Sequence, residues 1–341
     1  MKAVQLLAHG APGKFEFREV PDPTPGAEEV VIRVRACGLN RLDLWAEQGE
    51  LPVKLELPRT LGCEISGEIS QVGCHVLEWR QGDRVAVQSN LFCGQCEFCL
   101  RGQESICIKG EILGVHRDGG FAERVVVPSA ALVRLPGKVT FESAAALTLA
   151  GSTAMHMLTH RAKVSAGDWV LVIGGASGVG SAAIQIAKGL GARVITTASS
   201  HDKHEFAKKL GADYVVDANE KWSAEVRKIT GKRGVDLVVE HVGGEVLLQA
   251  FDCLARGGTI VTCGATAGRE VLLKLWPMFV KEQRLIGSYG RNRRDMEATL
   301  HWAAEGKICA TIDREFSLNE TPQALALLRK RKVMGKLIIK P

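Results

Sequence analysis

No uninterrupted apolar run in the 341 residues approaches the roughly 20 that a helix needs to cross a bilayer, so a helical membrane protein is not expected. A polybasic block is missing as well. The 44 basic and 38 acidic residues are spread along the chain, and a net charge of +6 reads as a solvated surface suited to anionic ligands rather than a nucleic-acid footprint. The opening Met1-Lys2-Ala3-Val4-Gln5 has neither the charged nor the apolar region of a signal peptide, and a cytoplasmic location is expected. Internal repeats and low-complexity segments are absent. What remains, 46% apolar and 24% charged, is the composition of a soluble globular enzyme long enough for two domains.

Of the ten cysteines, Cys93, Cys96, Cys99 and Cys107 stand close together at C-x2-C-x2-C-x7-C, in a loop bearing Gly94 and Gly102. Four thiolates from one loop close a tetrahedral shell around Zn2+ and leave no position for water or substrate. A structural zinc in a reducing compartment fits this spacing better than disulfides.

Up to about residue 130 the chain reads as short β segments broken by Pro and Gly, with strong candidates at 29–36, 68–72, 84–88 and 123–127. This predicts an all-β, partly barrel-like first domain. An Ala-rich helix is expected over 142–159. Beyond Asp168, β-like runs at 170–173, 193–197, 214–216, 237–240, 259–263 and 284–288 alternate with helical periods, as a doubly wound parallel sheet requires. Two more helices (294–304, 321–331) and a last β run (335–339) are too few for a core of their own and should return to the first domain.

Residues 169–187 join a buried strand, a Gly-rich turn and a helix. Gly175, Gly178 and Gly180 leave room for a pyrophosphate at the helix start, with Ser177 where the middle glycine of G-x-G-x-x-G usually stands and Val179 beside it. A turn of this kind is weak evidence by itself.

With the motifs Ala36-Cys37-Gly38-Leu39-Asn40-Arg41-Leu42-Asp43, Leu61-Gly62-Cys63-Glu64-Ile65-Ser66-Gly67, Gly82-Asp83-Arg84-Val85 and Gly119-Gly120-Phe121-Ala122-Glu123, the whole chain resembles the medium-chain dehydrogenase/reductase superfamily. The resemblance implies an α/β protein. A GroES-like β-rich catalytic domain (1–151, zinc lobe at about 90–110) would be followed by a Rossmann domain with a six-stranded parallel sheet (152–288) and a return segment (289–341).

In the zinc alcohol dehydrogenases of this superfamily a second, catalytic zinc is held by a Cys, a His and a Cys or acidic residue. Aligned here, those positions hold Asn40, Cys63 and Leu149, and the relay hydroxyl is Leu42. Leucine cannot bind metal. An unorthodox set of Cys63 with Glu64, Asp43 or Cys37 is the alternative. Residues 147–158 and Gly38-Leu39-Asn40 resemble the quinone oxidoreductases instead, a branch that reduces without catalytic zinc.

Hydride transfer from NADPH to a quinone, enone or other activated carbonyl compound is therefore expected. Asn40 and Arg41 would act as donors to the developing oxyanion, with Trp45 as a wall and Tyr289 as a proton donor. Arg41 serves equally as a pyrophosphate ligand. The second strand ends in Ala198 rather than an acidic residue, while Ser199, Ser200 and Lys203 can donate to a 2′-phosphate, which favours NADPH over NADH. By position Thr153, His241 and Gly264 join the cofactor site. Two rival readings are a zinc alcohol dehydrogenase with the altered ligand set and a non-catalytic NADPH-binding protein. A small-molecule substrate and a homodimer or homotetramer are expected, with neither nucleic acid nor membrane as partner. The apolar run 259–263 is a candidate sheet edge for assembly, or core.

Overall fold

The computed structural model describes residues 1–341 in two compact units. One comprises Met1–Leu149, Arg291–Glu305 and Ala310–Pro341, the other Ala150–Gly290 and Gly306–Cys309. None of the helices is long and apolar enough to cross a membrane.

In chain order the first unit begins with β1 (Lys2–Ala8), β2 (Lys14–Glu19), β3 (Glu29–Gly38), α1 (Arg41–Gln48), β4 (Arg59–Thr60), β5 (Glu64–Val72), β6 (Arg84–Val87) and β7 (Asn90–Leu91). Then come α2 (Glu97–Leu100), β8 (Glu111–Ile112), β9 (Arg124–Pro128), β10 (Leu132–Arg134) and α3 (Phe141–Leu147). The second unit contributes α4 (Ala150–Met155), β11 (Trp169–Val172), α5 (Gly178–Gly189), β12 (Arg193–Ala198), α6 (His201–Lys209), β13 (Tyr214–Asp217) and α7 (Trp222–Ile229). It continues through β14 (Val235–Glu240), α8 (Gly244–Cys253), β15 (Leu254–Thr262), α9 (Leu275–Val280) and β16 (Arg284–Gly287). Finally α10 (Arg293–Ala304), β17 (Ile312–Ser317), α11 (Thr321–Arg329) and β18 (Lys336–Lys340) belong to the first unit.

A seven-stranded sheet dominates the first unit, in the order β10-β6-β5-β3-β18-β17 with β9 also on β3. Alternate residues of β3 (Val30, Ile32, Val34) are buried with Ile65, Ile69, Val85 and Val125, as a sheet covering one core requires. The C-terminal strand β18 lies antiparallel to β3, with Ile338 opposite Gly38 and Ile339 opposite Cys37. That pairing brings the chain's last segment to the point where α1 begins.

Six parallel strands in the order β13-β12-β11-β14-β15-β16 form the second unit's sheet. The strand order reverses between β11 and β14, and a crevice for a ligand opens beyond the carboxyl ends of such a pair.

One sequence expectation needs correction, and one pair of alternatives is decided. The helix over 142–159 is broken into α3, α4 and a π-helical turn, His156–Arg161. At the first break the Leu149 N–H donates to Glu64 Oε1 at 2.6 Å, and at the second the Ala162 N–H reaches back five residues to Met157 O. The run 259–263 is not a sheet edge, because β15 lies between β14 and β16; the edges are β13 and β16. Its apolar character reflects burial on both faces.

Candidate functional site

Three neighbouring strands end together in the first unit. The pairs Gly38↔Glu64 and Ser66↔Ala86 place the end of β3, the start of β5 and the end of β6 side by side, so Asn40, Cys63, Glu64, Gln88 and Ser89 gather at one sheet end. β18 adds Lys336, whose position is fixed by the Ile338↔Gly38 pair.

Lys336 is buried, and its ammonium lies 2.7 Å from Glu64 Oε2 and 2.6 Å from Asn40 Oδ1, with the Leu39 carbonyl as a third acceptor. Asn40 in turn donates from Nδ2 to Glu64 Oε2 (3.0 Å) and to Gly38 O (3.2 Å). The other Glu64 oxygen accepts the Leu149 N–H. The Asn40 backbone N–H donates to Asp43 Oδ2 at 2.7 Å, which starts α1. All these groups are saturated by one another, as burial demands.

This corrects the role expected of Asn40. Both of its amide N–H directions are spent inside the protein, so it holds the scaffold rather than a substrate oxygen. The unorthodox metal set also fails: Cys37, Asp43, Cys63 and Glu64 do not converge three at a time on one point. Burial pushes the Cys37 and Cys63 thiols well up. The Lys336 ammonium bridges Glu64 and Asn40, so the acceptor atoms of both are already engaged by a cation of the chain itself.

Arg41, the first residue of α1, is half-buried, and burial together with the charge of Arg331 lowers its pKa. Two neighbouring guanidiniums are suited to an anion. Trp45 is half-buried one turn further on.

The four lobe cysteines do converge on one point. Their Sγ atoms lie 3.5 Å (Cys93–Cys107), 3.5 Å (Cys96–Cys99), 3.9 Å (Cys96–Cys107) and 4.0 Å (Cys93–Cys99) apart. A tetrahedron with Zn–S bonds of about 2.3 Å has edges of about 3.8 Å. Backbone N–H groups point at the sulfurs; those of Cys99 and Ile108 bring Cys96 down to about 6. The set fits one structural zinc.

In the second unit, Ser177 precedes α5 and its Oγ accepts the Gly180 N–H at 2.9 Å. Gly174 has φ +63°, and a Cβ on Gly180 would stand 2.2 Å from Gly174 O, so the turn closes only with glycine there. His241, following β14, reaches Ser177 Oγ from Nε2 at 3.1 Å, and its burial lowers its pKa. A Cβ on Gly264 would stand 2.5 Å from His241 O. Gly175, Ser177, Gly178, Gly180, His241 and Gly264 are thus one assembly around the turn. Val179 is half-buried on α5 and Thr153 is buried in α4.

At the second strand end Ala198 pairs with Asp217, whose Oδ1 accepts from Asn219. Ser200 Oγ accepts the Lys203 N–H as the α6 cap, which engages it locally. Sequence reading missed the neighbouring Asp217. Tyr289 follows edge strand β16 and is 55% exposed. Sequence reading also missed Lys336, Gln88, Ser89 and Arg291 at the first unit's sheet end, since only strand register brings them there.

The alcohol dehydrogenase GroES-like domain model matches residues 26–137, and the zinc-binding dehydrogenase model matches residues 178–305. Among curated relatives, an acryloyl-coenzyme A reductase of Sulfurisphaera tokodaii is 32% identical over the whole of both chains. An alcohol dehydrogenase of Geobacillus stearothermophilus is 32% identical over 96% of each. A solved structure described as an NAD-dependent alcohol dehydrogenase is 39% identical and superposes with a TM-score of 0.96, covering 100% of both chains.

Proposed function

The chain belongs to the zinc-binding dehydrogenases of the medium-chain dehydrogenase/reductase superfamily, NAD(P)-dependent oxidoreductases, and on that premise we propose that it reduces an activated carbonyl compound without a catalytic zinc. The carrying observation is that Asn40, which stands where the resemblance places a zinc ligand, is bound instead to the Lys336 ammonium together with Glu64. The substrate is a quinone, an enone or an α,β-unsaturated acyl thioester, the last supported by the relatives named acryloyl-coenzyme A reductase. A bound reduced nicotinamide supplies the hydride. The Gly174–Gly180 turn with Ser177 and His241 receives the dinucleotide. NADPH is preferred to NADH, since β12 ends in Ala198 with Ser199 and Lys203 following.

The names of several relatives favour alcohol oxidation as a second reading. Metal analysis and a turnover screen separate the two. One zinc per chain with NADPH-dependent reduction of 1-penten-3-one, 1,4-benzoquinone or acryloyl-coenzyme A supports the first. Two zincs and alcohol oxidation that stops on chelation establish the second.

Assembly into a homodimer or homotetramer is part of the same reading. Edge strand β16 follows α9, on which Leu275, Trp276, Phe279 and Val280 are exposed, an apolar patch of the kind that marks a subunit contact. Light scattering of Trp276→Glu against the parent chain checks it.

A further inference from the structure

A second polar group at the first unit's sheet end has no part in the cluster around Lys336. The antiparallel β5–β6 register (Ser66↔Ala86, Gly67↔Val85), continued to the strand end, carries Gln88 and Ser89 to where Cys63 and Glu64 stand. Both Gln88 and Ser89 are buried. Arg291, only 2% exposed, enters here from a remote part of the sequence. Its Nη1 donates to Asn90 Oδ1 at 3.1 Å and its Nη2 to Ser89 Oγ, while its carbonyl accepts Gln88 Nε2 at 3.5 Å. Its positive charge is felt at the Cys63 thiol, where it opposes the effect of burial.

Gln88 supplies an independent sign that a group from outside the protein enters this place. Its Oε1 is buried and has no hydrogen-bond partner. Buried acceptors are nearly always satisfied, so a donor from outside the protein, on a water or a ligand, completes this position. Tying the guanidinium to two adjacent strand-end residues fixes its direction before any substrate arrives, which is how an electrostatic site avoids reorganisation during reaction.

We propose that Arg291, oriented by Ser89 and Asn90, is the residue that takes the carbonyl oxygen of an α,β-unsaturated carbonyl substrate and carries its negative charge through the reduction. The inference rests on the zinc-free reading above and assigns the oxyanion role that Asn40 does not fill. Hydride from the reduced nicotinamide adds to the β-carbon. The C=C electron pair moves into the bond between the α-carbon and the carbonyl carbon, and the carbonyl oxygen becomes anionic against the guanidinium, which keeps its proton. A proton from solvent then adds to the α-carbon, leaving a saturated carbonyl compound and oxidised nicotinamide.

Arg291→Met and Arg291→Lys in the full-length zinc-loaded chain test this, with Ser89→Ala as the milder variant should Arg291→Met fail to fold. Removing one oxyanion donor typically lowers kcat by about 10²- to 10³-fold. Arg291→Met is expected to lose about that much with 1-penten-3-one or acryloyl-coenzyme A, Arg291→Lys to recover at least tenfold of it, and Ser89→Ala to lose less than Arg291→Met. NADPH affinity, read by fluorescence titration, should stay within twofold throughout. Independently of turnover, but-2-enoate offers a charged oxygen in the same place; calorimetry with NADP+-loaded protein should show its binding at least tenfold weaker in Arg291→Met. Unchanged kcat in Arg291→Met, or but-2-enoate binding unaltered, overturns the proposal. If the parent chain reduces none of the probes, the zinc-free reading falls, and the but-2-enoate titration still decides whether Arg291 binds an anionic oxygen.

Discussion

Two polar clusters in the same unit have opposite construction. The zinc lobe takes four like groups from one short segment, residues 93–107, and leaves them half-exposed with sulfur spacings of 3.5–4.0 Å. The sheet end takes unlike groups from β18, β5 and the β3–α1 junction, buries them, and balances an ammonium against a carboxylate. In the first the organising cation comes from solution and the loop has little core of its own. In the second the cation is a side chain, and the strands it joins are already held by the main hydrophobic core. Metal dependence therefore belongs to folding in one cluster and, under the reading above, to neither folding nor chemistry in the other.

The sharpest way to break this contrast is to remove a lobe ligand. Cys96→Ser should take bound zinc from one per chain to none, as measured by inductively coupled plasma mass spectrometry. Structural zinc contributes on the order of 10 kcal/mol in small zinc-dependent folds, so disorder of the lobe should be the largest stability effect of any substitution discussed here. A Cys96→Ser chain that still carries one tightly held zinc would place a metal elsewhere and end the comparison.

At the sheet end the equivalent experiment is Lys336→Met. It leaves the Glu64 carboxylate buried without the ammonium 2.7 Å away, and breaking one side of a buried pair costs about 3–5 kcal/mol. Adding Glu64→Gln should restore much of the loss, because the amide oxygen still accepts the Leu149 N–H and no charge is stranded. Urea unfolding of the two single variants and the double variant gives the coupling directly. A Lys336→Met cost below about 1 kcal/mol would mean that the pair does not hold this end of the sheet.

The same contrast explains what could be read from sequence. Local spacing carries the lobe, and the run from β11 through the glycine turn to α5 is equally local, so both were legible. Lys336 and Arg291 gave no signal, because each reaches the site only through strand pairing or a loop far along the chain from Asn40 and Cys63. Asn40 was visible as a departure from the zinc ligand set, but its role was not: the lysine and glutamate that consume its amide lie in other segments. The division of the helix over 142–159 had the same origin, since Glu64 takes the Leu149 N–H. The apolar run 259–263, open between edge and core on sequence alone, is core for a different reason: strong hydrophobicity marks an interior parallel strand, while the edge strand β16 is only partly buried.

Asp43 distinguishes the clusters by pH. Burial raises its carboxyl to about 7, although the Asn40 N–H at 2.7 Å and the nearby Lys336 charge pull the other way. In the unfolded chain the same group titrates near 3.8. Between these values the folded state binds the extra proton, so Asp43 contributes stability that is complete below about pH 4 and is lost as pH rises through 7. From pH 5 to pH 8 the loss amounts to about 2–3 kcal/mol, at 1.36 kcal/mol for each unit of pH over which the proton is retained. Asp43→Asn, which cannot ionise, should unfold in urea with a shallower decline of stability over that interval, the difference from the parent chain approaching one proton. The lobe, fully loaded with zinc in both proteins, contributes equally to each and cancels. Parallel pH profiles for the two chains would show Asp43 ionised throughout, and the sheet end would then hold one more negative charge than its ammonium alone can balance.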